Sequence, residues 1–305
     1  MNKYLKKVIS KVSYYDIDVK NNFRRIRKTQ DLLSPGLPSI NYETLDLEIK
    51  SFDDYLVPIR AFKPKVLDGT EKVIIYFHGG GWVIGNIDNY SRICLNLSKN
   101  TNTVVLSVDY RLAPEYKFPI GLEDCYYAVK SICENAERFG FKKEDVVLMG
   151  DSAGGNLAAA VSLMLRDKND FIPQKQILVY PSTYNDHSSK SPFKSIRDFG
   201  TDYILTSKRI CDYMELYSSS KEDFNNPYFA PLISDNLYNQ PDTLVLTAWY
   251  DPLRDEGEAY AQKLWKFGNK VTCKRVFDTI HGFLGLPAAR KQMDRTYHYI
   301  NQFLS

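Results

Sequence analysis

The stretch VVLMGDSAGGNLAAAV, Val146 to Val161, reads as an apolar strand, a sharp turn and an alanine-rich helix in direct succession. Its centre, Gly150-Asp151-Ser152-Ala153-Gly154, is a GxSxG. A serine in that context sits on a strained turn with its hydroxyl exposed, and the small residues around it let strand and helix approach closely. The flanking strand and helix separate this reading from an ordinary Gly/Ser turn, and they make Ser152 the candidate nucleophile.

Working outward, the same kind of apolar run recurs: KVIIYF, TVVLSVDY, QILVYP, TLVLTAWY and VTCKRVF. Near-continuous Val/Ile/Leu runs of this length are what strands buried on both faces require. Stretches of helical character lie between them, at about Asn89–Lys99, Gly121–Phe139, Ala153–Arg166, Asp255–Phe267 and Pro287–Phe303. Alternation of strands and helices implies a doubly wound α/β sheet. Ahead of it, Asn41 to Phe62 alternates apolar and polar residues, Leu45, Leu47 and Ile49 and then Tyr55, Val57 and Ile59, as an antiparallel hairpin would. Together these predict a mostly parallel, eight-stranded sheet flanked by helices.

Two segments fall outside the alternation: residues 1–40, and the aromatic-rich span from Tyr184 to about Tyr238. Insertions on α/β sheets commonly cover the C-terminal edge of the strands. The first segment and the insertion at about 184–230 are therefore expected to form a helical cap on a catalytic domain spanning 41–305. Its aromatic residues, with Tyr14 and Tyr15, are expected to wall a covered pocket.

A serine hydroxyl needs a base to take its proton. Of the four histidines, His78 belongs to a glycine loop, His187 to the presumed cap and His298 to the last helix. His281, in FDTIHGFLG, follows the last strand and is left as the base. The imidazole needs a carboxylate to hold its tautomer. Asp251, ending the strand in LVLTAWYDPLRDEG, fits, and the order Ser152, Asp251, His281 is that expected on such a sheet. Asp255 and Glu256 are rivals that start a helix, where acidic residues commonly serve the dipole, and Asp278 is too local to His281.

The loop YFHGGGWVIG, Tyr76 to Gly85, then acquires a purpose. Attack on an ester carbonyl puts negative charge on its oxygen, and bare backbone N–H groups can hold it. The loop Gly79–Gly81, Gly80 and Gly81 foremost, and Ala153 behind the nucleophile are the expected oxyanion-hole donors. His78 is expected to orient the loop by hydrogen bonding, and Trp82 either to wall the acyl pocket or to pack in the core. In DYRLAPE, residues 109–115, Arg111 and Glu115 read as a pair that fixes loop geometry, and Asp151 as a support of the elbow.

Four blocks in order, HGGGW at 78–82, DYRLAPE at 109–115, GDSAGG at 150–155 and YDPLRDEG at 250–257 with HGF at 281–283, resemble the hormone-sensitive-lipase-like family of α/β-hydrolase esterases. The resemblance implies an α/β-hydrolase fold, Ser152, Asp251 and His281 as triad, and short-chain esters of modest alcohols as substrates, with no cofactor or metal. An amidase or formamidase on the same triad is the enzymatic alternative. A ligand-binding homologue without turnover is the other, and the presence of His281 argues against it. The resemblance also allows a homodimer through the last strand and helix.

Composition narrows the partners. A chain of 305 residues, 44% of them hydrophobic, can bury roughly three quarters of its unfolded surface. With 40 basic against 37 acidic residues the formal charge is +3, which does not suggest nucleic acid as a partner. Five cysteines without CxxC spacing fit reduced thiols and a cytoplasmic location better than a disulfide framework or zinc. No h-region opens the chain and no apolar run approaches the roughly 20 residues that span a bilayer, so no stable membrane insertion is expected.

Overall fold

The computed structural model describes residues 18–33, 44–65 and 72–305. Tyr14, Tyr15 and the predicted hairpin start at Asn41 lie outside them. The strands β1 (Thr44–Lys50), β2 (Leu56–Phe62), β3 (Val73–Phe77), β4 (Val104–Val108), β5 (Val146–Asp151), β6 (Lys175–Val179), β7 (Asp242–Tyr250) and β8 (Val271–Ile280) form one sheet in the order β1-β2-β4-β3-β5-β6-β7-β8. The hairpin β1–β2 is antiparallel, with Ile49 opposite Val57 and Leu47 opposite Ile59, and β2 pairs antiparallel with β4. All other pairings are parallel.

The alternation of the central strands explains both helix layers. Ile75, Phe77 and Leu148 face a core built with α3 (Ile120–Glu134), α4 (Ala153–Asp167) and α7 (Arg254–Lys266). Ile74, Tyr76, Val147 and Met149 face the opposite core, built with α2 (Ile87–Thr101) and α8 (Arg290–Leu304). A central strand therefore has no polar face, which is why its sequence reads as one apolar run. The predicted alternation fails at two points: Leu45 is exposed, because β1 is the edge strand and only its Leu47–Ile49 end reaches the core, and Tyr55 is exposed just ahead of β2.

Between β6 and β7 the chain forms α5 (Lys194–Phe199), α6 (Ser207–Tyr217) and two 3-10 turns. Near the N-terminus α1 (Val19–Leu33) starts on Asp18, whose carboxylate accepts the Asn21 N–H. Arg27 fastens α1 to the rest: Nε donates to Val83 O at 2.7 Å and Nη2 to Ala113 O at 2.7 Å, while the guanidinium pairs with Glu115. Lys20 ties the same helix to Glu215 and Asp212 on α6. No helix among the described residues is long and apolar enough to cross a membrane.

Candidate active site

After β3 the chain crosses to β4 on one side, and after β4 it returns to β5 on the other. The loops leaving β3 and β5 therefore diverge, opening the crevice in which α/β sheets bind ligands. The first of these loops is Gly79–Gly81 and the second begins at Ser152.

Ser152 has φ 56° and ψ −119°, a conformation costly for a side chain and kept only where its surroundings over-determine it. Its N–H donates to Val179 O at 2.9 Å, and its carbonyl accepts from Asn156 N and Ser182 N. The glycines of the motif are demanded by close approach: a Cβ on Gly150 would stand 2.2 Å from Gly154 O, and one on Gly154 2.0 Å from Phe77 O.

The structure brings Ser152, His281 and Asp251 together from the ends of β5, β8 and β7. Ser152 Oγ lies 2.9 Å from His281 Nε2, and His281 Nδ1 lies 2.8 Å from Asp251 Oδ2. A carboxylate only accepts, so Nδ1 carries the proton and Nε2 is free to accept from the serine hydroxyl. Asp251 is fully buried, and its other oxygen takes the Leu253 N–H at 2.9 Å. The rivals are spent elsewhere. Asp255 accepts from Ser195 N, and Glu256 accepts from Thr183 N, Tyr184 N and the buried His187. Both hold the 183–195 segment against α7. His298 is exposed on α8, and Asp278 is exposed on β8.

Among the described residues, the N–H groups of Gly80, Gly81 and Ala153 donate to no protein atom, and all three residues line the cavity at Ser152. Gly80 adopts φ +118°, with its carbonyl accepting from Val83 N and Ile84 N, and a Cβ there would meet Ile84 O at 2.0 Å. Gly79 departs from expectation. Its N–H donates to Asp151 Oδ1 at 2.9 Å, so it is committed and leaves the donor set. Asp151 also accepts from the hydroxyls of Tyr76, Tyr90 and Tyr180. Burial pushes its carboxyl upward, and these donors work against that rise.

His78 is buried, with Nδ1 2.8 Å from Gly79 O and its ring stacked on Tyr110, whose hydroxyl donates to His78 O. Burial depresses it to about 4, so it stays neutral. Trp82 meets both readings: its ring stacks on Tyr217 with centroids 4.7 Å apart in the core, and the residue also borders the cavity. The expected Arg111–Glu115 pair does not form. Arg111 turns inward to Asp124, at 2.7 Å, and to Asp53, while Glu115 faces Arg27. The buried Asp124 needs a charged partner, and Arg111 is the side chain that reaches it.

The cavity over Ser152 has a volume of about 320 Å³. Its walls correct the aromatic expectation. Of the aromatic residues singled out in 184–238, Tyr213 alone lines it; the others present are Ile204, Leu205, Arg209 and Ile210, together with Gln30 from α1. Tyr217 and Phe229 pack against Trp82, Phe118 and each other, and Phe199 and Tyr203 pack against Tyr250. No sequence signal singles out Gln30 or Arg209: each lies on a helix whose pattern speaks only of packing.

Residues 74–285 match a family model described as the alpha/beta hydrolase fold. An arylesterase of Saccharolobus solfataricus is 39% identical over 287 residues, covering 92% of both chains. An ethyl acetate hydrolase of Pseudomonas putida is 31% identical, covering 82% of this chain and 78% of its own. Among solved structures, a hyperthermophilic esterase from Pyrobaculum calidifontis superposes with a TM-score of 0.86 at 31% identity, covering 100% of this chain and 99% of that one.

Proposed function

The chain belongs to the hormone-sensitive-lipase-like carboxylesterase group of α/β hydrolases, and from that premise we propose that it hydrolyses short-chain carboxylic esters through an acyl-enzyme on Ser152. The observation that carries the reading is the unbroken hydrogen-bonded line from Ser152 Oγ through His281 to the buried Asp251. His281 Nε2 takes the hydroxyl proton as Oγ attacks the ester carbonyl. The oxygen of the resulting tetrahedral intermediate becomes an anion, and the uncommitted N–H groups of Gly80, Gly81 and Ala153 receive it, each such donor being worth about 3 kcal/mol in the transition state. The protonated imidazole, held by Asp251, then gives its proton to the departing alcohol. A water enters, loses a proton to the same Nε2 and attacks the acyl carbon, and collapse releases the acid and restores Ser152.

In this reading α1 and the 184–230 insertion act as the cap that sets substrate size. A cavity of about 320 Å³ accommodates a small ester, and each methylene that fits contributes about 0.8 kcal/mol until the wall is met. A panel of p-nitrophenyl esters tests this. kcat/KM should peak at roughly two to six acyl carbons; a rise continuing to twelve carbons would contradict the closed cavity, and binding without turnover of any ester would contradict catalysis.

A further inference from the structure

Each glycine of the loop after β3 is held by a different device. The Gly79 N–H is bonded to Asp151, and the Gly80 carbonyl accepts from Val83 N and Ile84 N. Gly81 has neither. Among the described residues its carbonyl accepts no hydrogen bond and the Trp82 N–H donates none, so the peptide between the two is unpaired. Gly81 and Trp82 also stand in the left-handed region in succession, both at φ 61°. For a bulky residue such as Trp82 that backbone is costly and persists only when its surroundings impose it. A glycine followed by an unpaired peptide has the most freedom to turn in this loop, yet an oxyanion donor must be in place before the charge develops.

The constraint comes from α6. A Cβ on Gly81 would stand 2.4 Å from Tyr213 Cγ and 2.6 and 2.7 Å from its two Cδ atoms, so the ring lies directly against the Gly81 Cα. One helical turn on, Tyr217 stacks on the Trp82 indole with the ring planes 1° from parallel. Residues four apart share a helix face, and this face meets two consecutive residues of the loop. The helix is itself anchored: Thr206 caps it by accepting the Arg209 N–H, the Tyr217 carbonyl accepts from Phe118 N at 2.8 Å, and Lys20 pairs with Asp212 and Glu215. We propose that Tyr213 is a positioning residue for ester hydrolysis, its ring pressed on Gly81 so that the Gly81 N–H stays aimed at the oxyanion. The ring makes no bond to the substrate and moves no proton; it removes the backbone conformations in which this donor turns away. This role rests on the esterase reading, and it gives α6 a part in the reaction through one contact.

The test separates alignment of the oxyanion donors from filling of the cavity. Butyl trifluoromethyl ketone reports the first: Ser152 Oγ bonds to its carbonyl carbon, the hydroxyl proton passes to His281 Nε2, and the carbonyl oxygen becomes the anion that the loop must hold. The corresponding secondary alcohol has nearly the same shape and forms no adduct. In Tyr213→Ala, kcat for p-nitrophenyl acetate should fall and the inhibition constant of the ketone should rise together, each by about tenfold, a fraction of the roughly 100-fold or greater cost of removing one donor outright. KM and the inhibition constant of the alcohol should stay within about threefold of wild type. Tyr213→Phe, which keeps the ring, should bring kcat and ketone inhibition back to within about threefold. If Tyr213→Ala lacks a cooperative melting transition, Tyr213→Leu, which keeps apolar bulk without a flat ring, is held to the same expectations. A folded ringless variant with unchanged kcat and ketone inhibition would overturn the proposal while leaving ester hydrolysis intact. So would equal weakening of ketone and alcohol, or a Tyr213→Phe as damaging as the ringless variant. A wild type that neither hydrolyses p-nitrophenyl acetate nor binds the ketone more tightly than the alcohol would overturn the esterase reading and the proposal together.

Discussion

Ser152, Asp251 and His281 each lie directly after the end of a parallel strand, whereas Gln30, Ile204, Arg209 and Tyr213 reach the same cavity from α1, α6 and the loop before it. The two groups are held differently. The strand-end residues are fixed by backbone pairing and by dedicated hydrogen-bond partners: the Ser152 N–H by the Val179 carbonyl, the Asp251 carboxylate by the Leu253 N–H, and the Gly79 N–H of the glycine loop by the Asp151 carboxylate. The overlying residues ride on a helix fastened through Arg27 and Lys20 and on a segment clamped by Glu256 and Asp255. On the proposed function, chemistry is thus built where displacement is hardest, and fit to substrate where it is easier.

The sharpest way to break that division is Ser152→Ala. It should fold with unchanged thermal stability and lose kcat on the order of 10⁴ to 10⁶-fold, since triad members act as a unit. Near-wild-type turnover of p-nitrophenyl acetate would break it. Next comes Asp151→Ala, which would strip the Gly79 N–H and three tyrosine hydroxyls of their acceptor. Both thermal stability and kcat should fall, kcat by roughly 10 to 100-fold as the oxyanion donors lose their alignment.

How much of this the sequence declares depends on how local its cause is. The elbow is a contiguous signal, because a strand, a tight turn and a close-packed helix need their residues in fixed order, and GDSAGG supplies them. Asp251 and His281 are legible because each follows an apolar run that can only be a buried strand. The partners of charged residues are not local. Arg111 and Glu115 are neighbours in DYRLAPE, yet each answers to a charge far away in sequence, Asp124 and Arg27. Gly79 looks like its two neighbours until the position of the Asp151 carboxylate is known. The aromatic side chains of 184–238 mislead for a related reason: composition says that rings must be buried, not whether they face the cavity or one another, and most face one another.

Arg27→Ala probes the overlying layer. Loss of its bonds to Val83 and Ala113 should raise KM roughly threefold to tenfold for butyrate esters while changing kcat by less than about twofold. A kcat loss as large as that of Asp151→Ala would show that the two regions are not separable. The smallest effect concerns pH. Burial raises the Asp109 carboxyl to about 6, while it accepts the Ile87 N–H at the start of α2. An unfolded aspartate titrates near ~3.9, so between these values the folded chain holds a proton that the unfolded chain has released. Its stabilising contribution is full below about pH 4 and is lost as pH rises through about 6. In Asp109→Asn the decline in melting temperature from pH 4.5 to 7 should be shallower, by on the order of 2 °C; an identical decline would remove Asp109 from the account.

The most direct measurement is covalent. A fluorophosphonate reacts with a serine oxygen only where a base removes its proton and an oxyanion hole receives the phosphoryl oxygen. Peptide mass spectrometry of the labelled protein should place one adduct on Ser152, with labelling abolished in Ser152→Ala and strongly slowed in His281→Ala. Labelling that persists in Ser152→Ala, or an adduct on another serine, would contradict the claim that this strand-end line of residues is the catalytic machinery.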